Sequence, residues 1–186
     1  MFFICFKVYY IHIMKVSKKY LIFTIIICVL AIAINAYIIM HSCLDAAQST
    51  QQSNGVVEVA EDVVNTVSPG TITPENHDSF ATFIRKAFGH FGLFTISGLL
   101  SSLAIYFVFN PMKWSKYYLL VIMSLGFGLL MGITTELIQL NVPGRSGEFL
   151  DVLIDFSGYL LGFLIILLIL FLIIRNQNKK YQLKNN

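Results

Sequence analysis

Charged residues are scarce in this chain. Asp, Glu, Lys and Arg make up only 12% of its 186 residues, while 56% are hydrophobic. Water-soluble domains carry roughly a quarter charged residues. This shortage of polar surface excludes a water-soluble fold, and a soluble nucleic-acid-binding protein with it. The length leaves room for one domain, and we expect an integral membrane protein with no nucleic-acid partner.

Cysteine is also rare. Cys5, Cys28 and Cys43 are odd in number, lie in or beside apolar runs and form no CxxC pair. That arrangement disfavours both a disulfide framework and a cysteine zinc site, so we interpret the three as small packing residues. The sequence also lacks GxSxG and HExxH, the motifs of a hydrolase nucleophile and of a zinc protease. It predicts no cofactor and no metal.

Four apolar runs have the length of membrane-spanning helices. About 20 residues cross roughly 30 Å of hydrocarbon as a helix. We place the spans at 20–40, about 90–109, about 117–140 and about 149–174. The sequence therefore predicts an all-α protein with four transmembrane helices.

The first span has a signal peptide as its alternative, because basic residues precede it. The run is long for a signal peptide, and neither a cleavage site nor a lipobox follows it, so we expect an uncleaved anchor. Residues 1–19 form a basic N-terminal segment, within which Met14, followed by Lys15, Lys18 and Lys19, is a natural start.

Residues 41–79 form an acidic loop with six acids and no Lys or Arg. Within it, VVEVAEDVVNTV spaces its valines at helical intervals, which favours an extra helix on the surface. Thr73-Pro74-Glu75 is typical of a helix N-terminus, with a capping residue, a proline at the first position and an early acid. We expect this helix to continue through Arg85 and Lys86 into the second span.

The distribution of positive charge predicts the topology. Cytoplasmic flanks of membrane spans carry an excess of Lys and Arg. In a four-span arrangement, three basic groups fall on one side and the acidic loop on the other: Lys15, Lys18 and Lys19; Lys113 and Lys116; Arg175, Lys179, Lys180 and Lys184. We therefore expect a multi-pass protein of the cell membrane with both termini cytoplasmic, residues 175–186 as a cytoplasmic tail, and residues 41–79 outside.

This topology brings polar residues that are distant in sequence to the outer ends of the spans. An acid at the centre of a membrane helix costs about 2.5–3.5 kcal/mol, and less near the interface. Glu136 therefore needs a partner, for which Arg145, Lys86 or His90 is available. We predict a ligand-binding site formed by Arg85, Lys86, His90, Glu136, Gln139, Arg145, Asp151 and Asp155.

On each of the last three spans, residues at steps of three and four from the polar positions lie on the same helix face, and most of them are small. Such stripes allow helix backbones to approach closely in lipid. We expect the stripes to face one another and to direct the acids inward. They consist of Gly128 and Gly132 with Glu136 and Gln139; Gly158 and Gly162 with Asp151 and Asp155; and Phe94, Ser97 and Ser101 with His90.

Structural roles are the alternative for several of these residues. Arg145 and Asp151 can form an ion pair that fixes the loop between them. Arg85 and Lys86 can be interfacial residues with their charges in the headgroup region. His90 can be a helix-capping or interfacial residue, and Glu148 can be a solvated loop residue.

At these positions the sequence resembles the VanZ-like family of bacterial membrane proteins. The order and approximate spacing match over about residues 20–175. The matching pieces are Arg85-Lys86 with His90-Phe91, the pair Glu136-x-x-Gln139, the loop Pro143-Gly144-Arg145, and Asp151 followed by Gly158 and Gly162.

The resemblance implies a VanZ-like core at residues 80–174 in a helical membrane protein with four to five spans. It also implies a link to low-level resistance to the glycopeptide teicoplanin. Two departures are visible: RKAFGH has one residue more than the common pattern between the basic pair and the histidine, and Asp155 stands where the family usually has asparagine. A protonated Asp155 would replace the donor of that amide.

Three functions compete. The first is binding of a lipid headgroup, cell-wall intermediate or glycopeptide at the outer polar residues. The second is a membrane enzyme with His90 or Glu136 as general base and Arg145 stabilising an anion; its metal-dependent form would use Glu136, Asp151, Asp155 and His90 as ligands. The third, a transporter, requires ionisable groups nearer the midplane. The lipid bilayer is the expected partner in all three, and the sequence does not define an oligomeric state.

Overall fold

The computed structural model describes residues 17–109 and 117–185. Within these ranges the chain is all helical, which confirms the predicted fold class. The proposed start at Met14, the neighbouring Lys15 and the basic turn with Lys113 and Lys116 lie outside the described residues. The five helices are α1 (Lys18–Ser42), α2 (Ala46–Val67), α3 (His77–Phe109), α4 (Tyr117–Gln139) and α5 (Phe149–Asn185).

Four of these helices are long and apolar enough to cross a membrane. The segments are Lys18–Ser42, His77–Phe109, Tyr118–Gln139 and Phe149–Ile173. Large apolar side chains such as Ile32, Ile122 and Leu130 point outward and are more than half exposed. An apolar outer surface is what hydrocarbon contact requires, so these helices form the membrane-embedded part of the protein.

The extra surface helix predicted in the acidic loop is α2. It begins with a capping box, in which the Asp45 side chain accepts from the Gln48 backbone N–H and the Gln48 side chain accepts from the Asp45 backbone N–H. Val57 packs against Ala81 and Ile84 of α3. This contact anchors α2 against the start of α3.

α3 begins at His77, three residues after the expected first helical residue, Pro74. The predicted N-cap at Thr73 is wrong, because Thr73 and Asn76 close a turn instead. The Thr73 backbone N–H donates to Asn76 Oδ1 at 2.8 Å, and the Thr73 carbonyl accepts from the His77 N–H at 3.0 Å. The helix then contains a π-helical section, Arg85–Gly92, a rare geometry that is frequent at functional sites.

α3 and α5 form the centre of the bundle and make its most extensive contacts. Small residues allow their backbones to touch. Gly162 lies against the Thr95 carbonyl, Gly158 against the Phe91 carbonyl, and Gly98 against the Tyr159 carbonyl. The predicted α5 stripe therefore does meet α3 and holds the two helices close together. The predicted α3 stripe does not face these glycines, because Ser97 and Ser101 contact Asn35 of α1 instead.

The four long helices alternate in direction. α1 and α4 end where α3 and α5 begin, and we call this the polar end of the bundle. The hydrophobic core begins at the polar end and continues along the bundle; it consists of Ile38, Phe94, Leu120, Met131, Tyr159, Phe163, Ile166 and Leu170. In the described part of the chain, the buried charged residues, Glu136, Asp151 and Asp155, all lie at the polar end.

Candidate functional site

A cavity of about 570 Å³ lies at the polar end. It is bounded by α1, α2, α3, α4, α5 and the loop that precedes α5. Seven of the eight predicted ligand-binding residues line it: Arg85, Lys86, His90, Gln139, Arg145, Asp151 and Asp155. Glu136 does not line the cavity and is buried. The sequence thus predicted seven of the polar side chains that surround this space, while others, such as His41, Ser53 and Thr135, were not predicted.

Lys86 and Asp151 form the closest ion pair of the site. Lys86 Nζ lies 2.6 Å from Asp151 Oδ1 and 3.0 Å from Glu148 Oε2. Asp151 is buried in the first turn of α5, where the helix dipole favours negative charge. The alternative Arg145–Asp151 pair is therefore wrong. Glu148 is an exposed loop residue, as predicted, and it also pairs with Lys86.

His90 and Asp155 form a second polar pair between α3 and α5. His90 Nδ1 lies 3.0 Å from Asp155 Oδ1, and the Thr135 hydroxyl lies 3.3 Å from Asp155 Oδ2. Asp155 is fully buried. With Asp155 ionised, the imidazole donates from Nδ1 and keeps Nε2 for another partner. The helix-capping alternative for His90 is wrong, because this residue lies inside α3.

Glu136 connects α4 to the loop before α5. Its Oε2 accepts from the Glu148 backbone N–H at 2.9 Å, and its Oε1 accepts from Gln139 Nε2 at 3.2 Å. Within residues 17–109 and 117–185, no basic side chain forms a salt bridge with Glu136. The expected direct partner among Lys86, His90 and Arg145 is therefore missing, and neutral donors take its place.

Arg145 lines the cavity from the loop between α4 and α5. The preceding Gly144 has a φ of 73°, in the left-handed region that glycine adopts without strain. Arg145 Nη1 donates to the His41 carbonyl at 3.5 Å. Burial lowers the pKa of its guanidinium, while the nearby charges of Glu136 and Asp151 raise it. No carboxylate among the described residues forms a salt bridge with Arg145.

Arg85 holds α2 against α3. Its Nε donates to Ser53 Oγ at 3.0 Å and its Nη2 reaches Asn54 Oδ1 at 3.4 Å. Both acceptors are neutral, so these two hydrogen bonds do not compensate the positive charge of the guanidinium at the edge of the cavity. The alternative role of Arg85, a purely interfacial charge, does not account for these contacts.

Three residues of the polar network were not identified from the sequence. His41 lines the cavity from the end of α1, and Thr135 contacts Asp155. Asn35 is buried deeper, where its Nδ2 donates to Ser101 Oγ at 2.9 Å and its Oδ1 accepts from Ser97 at 2.8 Å. The available signal for Asn35 was an isolated amide within an apolar run, which in lipid requires a partner on another helix.

Metal-ligating atoms also come together at this site. One ligand atom each from His90, Glu136 and Asp155 lies within 4.8 Å of the other two. Asp151, included among the ligands of the metal-dependent hypothesis, is not part of this group and pairs with Lys86. The arrangement thus contains one imidazole and two carboxylates from three different helices.

One comparison with known proteins gives a match. The family model described as VanZ/LLP1 matches residues 23–172, a range that extends from α1 into α5 and includes every residue of the cavity. No curated protein and no solved structure matches the chain.

Proposed function

Since the chain belongs to the VanZ/LLP1 family, we propose that this membrane protein binds an anionic envelope ligand in the cavity at its polar end. The candidate ligands are a lipid headgroup, a cell-wall intermediate and a glycopeptide. Bound ligand would influence susceptibility to teicoplanin. Arg145 and Lys86 contact the anionic group, and Gln139, His90, Asp151 and Asp155 shape the polar wall, with Glu136 supporting it from behind.

One observation carries this proposal: Arg145 places a positive charge on the cavity without a carboxylate partner. The only hydrogen bond of its side chain within the described residues is the long contact to the His41 carbonyl. Guanidinium groups bind carboxylates and phosphates through charge-assisted, often bidentate hydrogen bonds. A half-buried arginine on a cavity of about 570 Å³ therefore suits an anionic group attached to a larger molecule.

The link to glycopeptides is tested by growth. Expression of the wild-type chain in a teicoplanin-susceptible bacterium is expected to raise the minimal inhibitory concentration of teicoplanin. Arg145→Ala and Glu136→Ala are expected to lose this effect when they are present in the membrane in the same amount as the wild type. The first removes the contact to the anion, and the second removes the side chain that supports the polar wall. Arg175→Ala, at the other end of α5, is the matched control. Equal susceptibility with the wild type and Arg145→Ala would contradict the link.

We further propose that the polar end faces the outside of the cell. The basic groups near residues 15–19, 113–116 and 175–184 flank the opposite ends of the spans, as cytoplasmic flanks do. Cys43 follows α1 at the polar end and is exposed. In a variant with Cys5 and Cys28 replaced by serine, a membrane-impermeant maleimide should label Cys43 in intact cells. Labelling only after permeabilisation would show that the polar end faces the cytoplasm and would contradict this proposal.

A membrane enzyme acting on an envelope lipid or cell-wall substrate is the second candidate. The observation that favours it is the buried pair of His90 and Asp155, in which a carboxylate orients an imidazole as it does for general bases. Arg145 would stabilise the developing anion. Mass spectrometry would detect a lipid altered by the wild type and unaltered by His90→Gln. Identical lipid profiles with both proteins would exclude this candidate.

A further inference from the structure

His90, Glu136 and Asp155 form a compact group on α3, α4 and α5. One ligand atom from each residue lies within 4.8 Å of the other two, and both carboxylates are buried. We infer that these three side chains bind a divalent transition-metal cation of the zinc type, with a coordination position left for water or an anion. This inference goes beyond the proposed function, because anion binding by Arg145 requires no cation.

The ligand chemistry fits such a cation. Zinc takes histidine nitrogen and carboxylate oxygen at about 2.0–2.2 Å, and catalytic zinc sites use three protein ligands with a fourth position open. Tetrahedral ligands at that distance lie roughly 3.3 Å apart. His90 Nδ1 and Asp155 Oδ1 are already 3.0 Å apart. The ligand atom of Glu136 lies within 4.8 Å of those of His90 and Asp155, so the three can reach this spacing if Glu136 moves by about 1.5 Å or less.

The charge balance of the group gives an independent reason. Two carboxylates are buried here, Glu136 with 5% and Asp155 with 0% of its surface exposed, and a single imidazole is the only basic group within salt-bridge distance of either in the described residues. Buried charges are costly unless they are paired or coordinate a metal. A dication would balance both carboxylates and allow the imidazole to remain neutral.

The nearby basic side chains do not neutralise the Glu136 and Asp155 carboxylates. Lys86 is bound to Asp151 and Glu148, and Arg145 contacts the His41 carbonyl. Arg85 is engaged by Ser53 and Asn54 of α2. The negative charge of the group is thus left for a ligand from outside the chain.

Outer hydrogen bonds hold the two carboxylates in place. Thr135 contacts Asp155 Oδ2, and Gln139 and the Glu148 backbone N–H donate to Glu136. Metal ligands usually have such outer partners, which fix their orientation. All three ligands also come from helices, whose backbones are held in place by the packing of α3, α4 and α5.

The cavity gives access to the group. His90 and Asp155 line it together with Arg145, so water, a cation and an anionic ligand can reach the open position. If a cation is bound, an anionic group in the cavity would meet Arg145 and the metal together. This arrangement deepens the proposed function without depending on it.

Metal binding is tested with Zn²⁺ alone. The full chain, purified in detergent and stripped with a chelator, is titrated with Zn²⁺ by calorimetry, and its metal content is measured after dialysis. We expect one Zn²⁺ per chain for the wild type. Asp155→Asn and Glu136→Gln, which keep the side-chain shape, are expected to weaken binding by at least about tenfold, since changes to outer partners alone reach that size.

Matched controls separate this group from other ligands in the chain. Asp62→Asn removes an exposed acid of α2 that does not line the cavity, and a variant with all three cysteines replaced by serine removes the thiols; both should bind Zn²⁺ as the wild type does. Gel filtration and circular dichroism confirm that each variant is folded. An absence of stoichiometric Zn²⁺ in the wild type, or equal affinity in Asp155→Asn, would overturn the inference. Neither result would contradict anion binding at Arg145, which is tested separately.

Discussion

Gly162→Ala is expected to destabilise the helix bundle severely, whereas Gly126→Ala is expected to leave it as stable as the wild type or slightly more so. A Cβ at Gly162 would collide with the Thr95 carbonyl oxygen and the Leu99 backbone nitrogen, while a Cβ at Gly126 meets nothing within 4 Å. Backbone atoms cannot rotate away as a side chain can. α3 and α5 would have to separate, and that movement would also open the cavity between them.

The two substitutions are expected to change the stability of the bundle in opposite directions. Alanine in place of glycine normally favours a helix by about 0.5–1 kcal/mol, and Gly126 has space for it. Overpacking of a close contact costs about 1–3 kcal/mol and occasionally more, and we expect Gly162→Ala to lie at or above the top of this range. Denaturant unfolding of the purified variants in detergent measures both. Equal unfolding midpoints for the two variants would show that the close α3–α5 contact is not essential.

Lys86→Met is expected to cause the second large loss of stability. It leaves Asp151, whose side chain is 8% exposed, without its cationic partner. Removing one member of a buried ion pair costs about 3–5 kcal/mol. Because the Lys86 side chain is 31% exposed, solvent screening should reduce the cost to about 2–3 kcal/mol. Denaturant unfolding in detergent measures the difference in the free energy of unfolding between Lys86→Met and the wild type.

A double variant separates lost charge compensation from lost packing. Lys86→Met with Asp151→Asn removes both charges, so most of the stability should return. Arg85→Met is the matched control on the same turn of α3, since it removes only hydrogen bonds to neutral groups of α2 and should cost about 1 kcal/mol. A double variant as unstable as Lys86→Met would mean that the lysine stem, and not its charge, stabilises this site.

The sequence predicted the spans and the convergence of the site for simple physical reasons. Run length and hydrophobicity identify helices that can cross a membrane, and the alternation of four spans places residues as distant as His90 and Asp155 at one end of the bundle. Glycines at helical spacing identified the face of α4 that meets α5 and the face of α5 that meets α3. None of these inferences depends on the exact position of a side chain.

The individual pairings could not be predicted in the same way. Lys86, and not Arg145, binds Asp151, and Glu136 accepts from neutral donors. These choices depend on the π-helical section of α3, which changes the directions of Lys86 and His90 relative to a regular helix, and on the turn at Gly144. The contribution of α2 to the cavity wall was also missed, because its amphipathic pattern does not indicate what it packs against.

The central claim is that Arg145 makes the cavity at the polar end an anion-binding site. Equilibrium binding of labelled teicoplanin and of a panel of anionic phospholipids to the purified full chain tests it directly. A hydrogen bond to a charged group contributes about 1.5–3 kcal/mol, so at least one probe should bind the wild type and lose about tenfold or more of its affinity with Arg145→Ala, while Arg175→Ala should bind as the wild type does. Binding unchanged by Arg145→Ala, or no binding of any probe to the wild type, would contradict the account.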